Sequence, residues 1–166
     1  MKKIVSVLLA LVMALSLGVS AFATDVTVDG SQSADTTVTY GLDSSYLVVI
    51  PESVVIDTNT HKGEATVSAE NVLLGYGETL NITVANAENE DKWYLVDKTA
   101  ADNTLEYTIG KTDGAADVTN ESVVLSVAAG DKWNEKVEQA LYFELAEDVT
   151  KAGDYSDTLT FTVDVA

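Results

Sequence analysis

The stretch "GDYSDTLTFTVDVA" (residues 153–166) alternates at a period of two from Leu159 onward. Leu159, Phe161, Val163 and Val165 fall on one side, and Thr158, Thr160, Thr162 and Asp164 on the other. A β-strand sends successive side chains to opposite faces, so this pattern predicts a strand with one face buried. The same device recurs upstream. "GEATVSAEN" (63–71) sets Ala65, Val67 and Ala69 against Glu64, Thr66, Ser68 and Glu70, and "ETLNITVAN" (78–86) presents Leu80, Ile82 and Val84.

The remaining apolar runs follow suit. "TTVTY" (36–40), "YLVVI" (46–50), "SVVID" (53–57), "KWYLVD" (92–97), "TLEYTIG" (104–110), "SVVLSVAAG" (122–130) and "ALYFELA" (140–146) are β-branched or aromatic and lie between Asp, Asn, Gly and Lys clusters. That makes about ten strands. "YLVVI" is apolar on both faces, which predicts a central strand ended by Pro51, the single proline. "DKWNEKVEQA" (131–140) reads equally as a short helical turn or as a loop entering the next strand. No segment sustains a 3.6-residue period. The expected fold is all-β, an antiparallel two-sheet sandwich of immunoglobulin-like or jelly-roll topology. No linker rich in Pro, Ser or Gly divides it, so residues 24–166 are expected to form a single β-sandwich domain.

The front end reads as an export signal. Lys2 and Lys3 precede an apolar run from Ile4 to about Val19, and "SAFA" (20–23) places small residues at Ala21 and Ala23. Cleavage after Ala23 would leave Thr24 first. The apolar run is shorter than the roughly 20 residues a spanning helix needs, so no membrane span is expected in the mature chain. The protein contains no cysteine, which excludes a lipoprotein and leaves stability to packing and ladder hydrogen bonds. All 27 acidic residues lie after residue 23 with seven of the nine lysines, and there is no arginine. The mature chain therefore carries a formal charge of −20. Such a surface repels phosphate backbones and anionic lipids, which disfavours membrane-surface binding, and no nucleic-acid partner is expected.

Catalytic chemistry finds little to work with. His61 is the one histidine and sits in a polar turn, "DTNTHKGEA" (57–65), with no base–orienter arrangement around it. One His without Cys does not make a zinc site. "DVTVDGSQSAD" (25–35) offers Asp25, Thr27, Asp29 and Gly30 in the order of a calcium loop, but its twelfth position is Thr36 and Val26 and Val28 alternate as in a strand. No cofactor is expected beyond adventitious Ca2+ at acidic loops such as "NEDK" (89–92). Ligand-contacting candidates are the aromatics Trp93, Tyr94, Trp133 and Tyr142, as rings for a glycan, with Trp93 and Tyr94 pointing to opposite faces of one strand. A second candidate is residues 24–28, an alternating strand set off by "DGSQSAD" (29–35), which could complete the sheet of a neighbour.

"AGDYSDTLTFTV" (152–163) resembles the last strand of bacterial fimbrial-subunit and spore-coat U-like sandwiches, where a glycine–tyrosine turn leads into a Thr-rich alternating strand. "VVIPESVVID" (48–57) with "GEATVSAENVLLGYGETLNITV" (63–84) is similar to small secreted β-sandwich surface proteins of Gram-positive bacteria. The resemblance implies an immunoglobulin-like sandwich with a structural or adhesive role outside the cell. The chain departs from those families in lacking cysteine and a sortase signal, and its last asparagine is Asn134, ahead of the final strands. The expected protein is thus non-enzymatic, secreted or held at the cell surface. Its expected partner is protein, itself or another surface component, with a glycan as the alternative. An intact mass of the exported protein should correspond to a chain beginning at Thr24; a mass retaining residues 1–23 would refute the leader.

Overall fold

The computed structural model describes residues 37–86, 92–131 and 133–166. The leader with Ala21, Ala23 and Thr24, the 24–28 strand, the calcium-loop candidate at 25–36 and residues 89–91 all lie outside them. Residues Ser44–Ala166 form one compact unit, and residues 37–43 belong to the stretch that precedes it.

Nine strands are present among the described residues: β1 (Ser45–Val49), β2 (Lys62–Leu73), β3 (Thr79–Asn86), β4 (Trp93–Asp97), β5 (Ala100–Gly110), β6 (Ser122–Ala128), β7 (Lys136–Leu145), β8 (Tyr155–Ser156) and β9 (Leu159–Val165). They build two sheets, one ordered β1-β2-β7-β5-β4-β8 and the other β6-β3-β9. Every strand pairing is antiparallel. The all-β sandwich expected from the sequence is borne out, in its immunoglobulin-like form.

The period-two segments supply the core. Leu80, Ile82 and Val84 of β3 are at most 1% exposed, and β2 answers with Ala65, Val67 and Ala69. The central position of β3 explains this burial: neighbours on both sides satisfy its backbone, and its apolar face meets the other sheet. β2 and β7 form the longest ladder, from Lys62↔Glu144 to Glu70↔Lys136. Each of those end pairs is also an ion pair, Lys62–Glu144 at 3.6 Å and Lys136–Glu70 at 3.7 Å. Opposite charges facing each other at both ends penalise a one-residue slip of the ladder. An aromatic row crosses three strands: Trp93 tilts against Tyr107 with ring centroids 6.4 Å apart, and Tyr107 against Phe143 at 6.3 Å.

Several expectations are corrected. "YLVVI" is an edge strand, not a central one; β1 pairs with β2 alone, and Tyr46, Leu47 and Val49 remain 40–47% exposed. The second sheet is only three strands wide. Residues 37–40 of "TTVTY" form no strand, and "SVVID" lies outside both ladders as irregular chain, with Val54 and Ile56 packed on the core. Of the two readings of 131–140 the loop is the one found: residue 131 and residues 133–135 are turn and loop, and β7 begins at Lys136. The closing strand starts at Leu159 as expected, and Tyr155 and Ser156 ahead of it add a short strand to the six-stranded sheet.

Ile82→Ala should lower unfolding free energy by about 2–5 kcal/mol, as deletion of a fully buried branched side chain does. Thr160→Ala, on the exposed face of β9, should stay within about 0.5 kcal/mol. Chemical denaturation of both variants checks the assignment of faces.

A candidate strand-accepting cleft

Because the second sheet ends at β9, part of the apolar inner face of the six-stranded sheet lies in an open cleft of about 1160 Å³. Pockets for small ligands usually enclose roughly 300–1,000 Å³, so this one is large for a small molecule and is not enclosed. Leu95, Leu105, Tyr107, Phe143 and Leu145 of β4, β5 and β7 line it, as do Leu159 and Phe161 of β9. Val54 and Ile56, from the segment after β1, line it as well. Leu95, Leu145, Leu159 and Phe161 are only partly buried although they pack on the core.

β9 brings its backbone to this cleft. Thr79 and Ala166 exchange hydrogen bonds in both directions, at 2.8 and 3.0 Å. In an antiparallel ladder such pairs recur at every second residue, so Asp164, Thr162 and Thr160 direct their backbone groups at Asn81, Thr83 and Ala85. Leu159, Phe161, Val163 and Val165 therefore turn their N–H and C=O groups outward. Among the described residues β9 pairs only with β3, so these groups form an open edge. The residues whose side chains face the core thus also carry the unpaired ladder groups. That combination suits an extended chain: backbone to the edge, alternate side chains into the cleft.

The segment 149–158 leads into β9 and borders the cleft. It is held by polar contacts. Asp97 is 6% exposed; it accepts hydrogen bonds from the Thr99 N–H and hydroxyl, both 2.8 Å, and from Asn103 Nδ2 at 3.0 Å. Those bonds, the Thr99 backbone first, hold its carboxyl below the ordinary value of 3.8. Asn103 Nδ2 also donates to the Tyr155 hydroxyl at 2.7 Å, which donates to Lys151 O at 3.0 Å. Gly153 passes so close that a Cβ there would run into the Asp97 carboxylate. Deeper in the cleft the Tyr107 hydroxyl donates to Asp157 Oδ2 at 2.8 Å. Burial, then the Asp157 carboxylate, pushes the phenol far above its usual range, so it remains a donor.

The predicted aromatic residues do not gather. Trp93 is 3% exposed and donates its indole N–H to Val118 O at 3.1 Å. Tyr94 is partly buried on the opposite face of β4, across from Glu106. Trp133 is 50% exposed in the turn before β7. Tyr142 is partly buried opposite Glu64, on the other face of β7 from Leu141 and Phe143. His61 occupies the turn into β2 with φ 59° and its backbone N–H donating to Asp57 O, and it borders the cleft. Among the described residues no three His, Asp or Glu side chains converge as metal ligands would. Sequence reading missed the cleft, whose residues are scattered from Val54 to Phe161; its one local signal was the unusually long apolar content of residues 46–56.

The Asp97 clip should be acid-sensitive. A carboxyl held lower in the folded than in the unfolded state adds stability above its unfolded value of about 3.8 and loses it as pH falls through the lower folded value. Asp97→Asn should flatten that part of the pH–stability profile. Gly153→Ala should speed amide exchange in residues 149–158 at neutral pH while leaving β3 protected.

No family model matches the sequence, and no curated protein matches it. Solved structures do. One is a chain from a chaperone–tip adhesin complex of CFA/I fimbriae biogenesis, 16% identical over 71% of this chain and 40% of that one, with a TM-score of 0.48. Another is a chain from the chaperone–tip adhesion subunit pre-assembly complex of the archaic chaperone–usher Csu pili of Acinetobacter baumannii, 10% identical over 73% of this chain and 40% of that one, with a TM-score of 0.50. This chain thus spans about 40% of the length of each. At such identities the likeness is one of fold, an immunoglobulin-like β-sandwich.

Proposed function

We propose that the protein is a non-enzymatic, exported bacterial β-sandwich with a structural or adhesive role at the cell surface, which joins an extracellular assembly by taking an extended strand of a protein partner into the cleft beside β9. One observation carries this reading: the cleft combines a half-buried apolar lining with an edge strand whose outward backbone groups belong to the residues that line it. Main-chain pairing would supply affinity, and the apolar lining would select the alternate side chains. The likeness in fold to a chain of a pilus pre-assembly complex is compatible with it. The leader and the formal charge of −20 fit a soluble component outside the cell. A glycan platform is less well supported, since Trp93 is buried and, among the described residues, no ring pair includes Trp133.

Hydrogen exchange tests the reading residue by residue. In dilute protein the amides of Leu159, Phe161, Val163 and Val165 should exchange readily, and in assembled material recovered from the cell surface they should be slowed. Thr160, Thr162 and Asp164, already bonded to β3, should change little. Equal exchange at the first four in both states would sink the proposal, as would turnover of a substrate.

A further inference from the structure

We propose that the end of the sandwich carrying the β2–β3 turn binds an arginine-rich segment of another protein, whose guanidinium groups lie over Tyr46, Tyr76 and Trp133. This surface is separate from the cleft, which none of the three rings lines. Aromatic side chains exposed singly are ordinary, but these are grouped. Tyr76 is fully exposed, Trp133 50% and Tyr46 41% exposed, and the other aromatic residues of Ser44–Ala166 are buried or partly buried. All three are tethered through Glu78. Its Oε2 accepts from Ser44 Oγ at 3.2 Å and from the Gly75 N–H at 2.7 Å, and its backbone O accepts from the Ala129 N–H at 2.9 Å. Tyr46 is two residues from Ser44, Tyr76 two from Glu78 and Trp133 four from Ala129. The longest of these tethers is thus about 14 Å of extended chain. Lys136, three residues after Trp133, pairs with Glu70 and anchors that loop to β2 as well. The turn holds Tyr76 outward between two glycines: Gly77 has φ 84°, and a Cβ on Gly75 would meet the Glu78 carboxylate.

Charge selects the partner. Segments 70–78 and 129–138 carry Glu70, Glu78, Asp131, Glu135 and Glu138 against Lys132 and Lys136. Lys136 is already paired, with Glu138 at 2.6 Å and Glu70 at 3.7 Å. The face of an aromatic ring is electron-rich, so rings and carboxylates attract the same sign of charge. A guanidinium satisfies both at once: its plane stacks on a ring while its fork of N–H groups reaches a carboxylate, which the compact, strongly hydrated ammonium of lysine does less well. Tyr, Trp and Arg are also the residues that dominate binding energy where proteins meet. This chain has no arginine, and a second copy would bring the same formal charge of −20, so the partner is a different protein. Anionic lipid is repelled by the same charge. A sugar would need rings sharing one platform, whereas among the described residues no two of these three pack together. Separate rings suit separate cations.

The test titrates isotopically labelled mature protein with a synthetic Arg-Gly-Gly repeat peptide at physiological ionic strength. Saturable chemical-shift changes should centre on residues 44–47, 74–78 and 129–136, and the fluorescence of exposed Trp133 should change over a constant background from buried Trp93. Tyr76→Ala and Trp133→Ala remove exposed side chains, so both variants should fold, and each should weaken binding about tenfold. A Lys-Gly-Gly peptide of equal length should bind several-fold more weakly than the arginine peptide. General attraction of a polycation to an acidic surface predicts the reverse: the two peptides bind alike and neither ring substitution matters. That result would overturn the inference. So would a lack of saturable binding, or shifts at the same residues produced by a neutral N-acetylglucosamine oligomer in preference to the peptide. The cleft is read separately, by exchange along β9, so failure here leaves the strand-accepting reading standing.

Discussion

A difference in width governs this structure: six strands face three. A sheet with an apolar face must bury it against another layer, and here the narrower layer does so around β3, where Leu80, Ile82 and Val84 are sealed. Beyond β9 the cover runs out. Leu95, Leu145, Leu159 and Phe161 are left half wet at the boundary of the core. The missing cover forgoes stabilisation of roughly 25 cal/mol for each Å² of apolar surface left in water. The same surface is what a partner strand would gain by binding, so the weakest part of the packing is also the part able to recognise something.

The border of the cleft is built differently from its lining. Segment 149–158 is tied down through Asp97, Asn103, Tyr155 and Asp157, and Gly153 lets the chain lie against the Asp97 carboxylate. Among the described residues, every buried side-chain nitrogen and oxygen has a hydrogen-bond partner. A polar network without orphans holds one geometry, so the approach to β9 is shaped before any partner arrives. Ordering it in advance reduces the entropy that binding must spend.

Charge works on a longer scale. The lysines of the β2–β7 ladder pair across strands and mark its register, while the excess of acids gives the surface a single sign. Like charges on such a surface repel at a distance, and salt screens that repulsion. Many functions occur on sandwiches of this type, and it is the open edge with its lining, rather than the fold, that argues for assembly.

Residue alternation alone determined the faces of the strands: Leu80, Ile82 and Val84, Ala65, Val67 and Ala69, and Leu159 to Val165 all point as their period of two requires, because that period is a local property of the pleated backbone. It also required Trp93 and Tyr94 to part. Which of them went inside was decided by Tyr107 and Val118, far along the chain. The apolar run at 46–50 looked central, yet sheet order comes from hydrogen bonds between distant strands, and it placed β1 at an edge. The closing strand was legible from Leu159 onward, whereas the pairing of Tyr155 and Ser156 with β4 in the other sheet was decided only by the tertiary structure. The cleft is tertiary for the same reason: Val54, Leu105, Phe143 and Phe161 are neighbours only once both sheets have formed, and nothing local to any of them records where the second sheet stops.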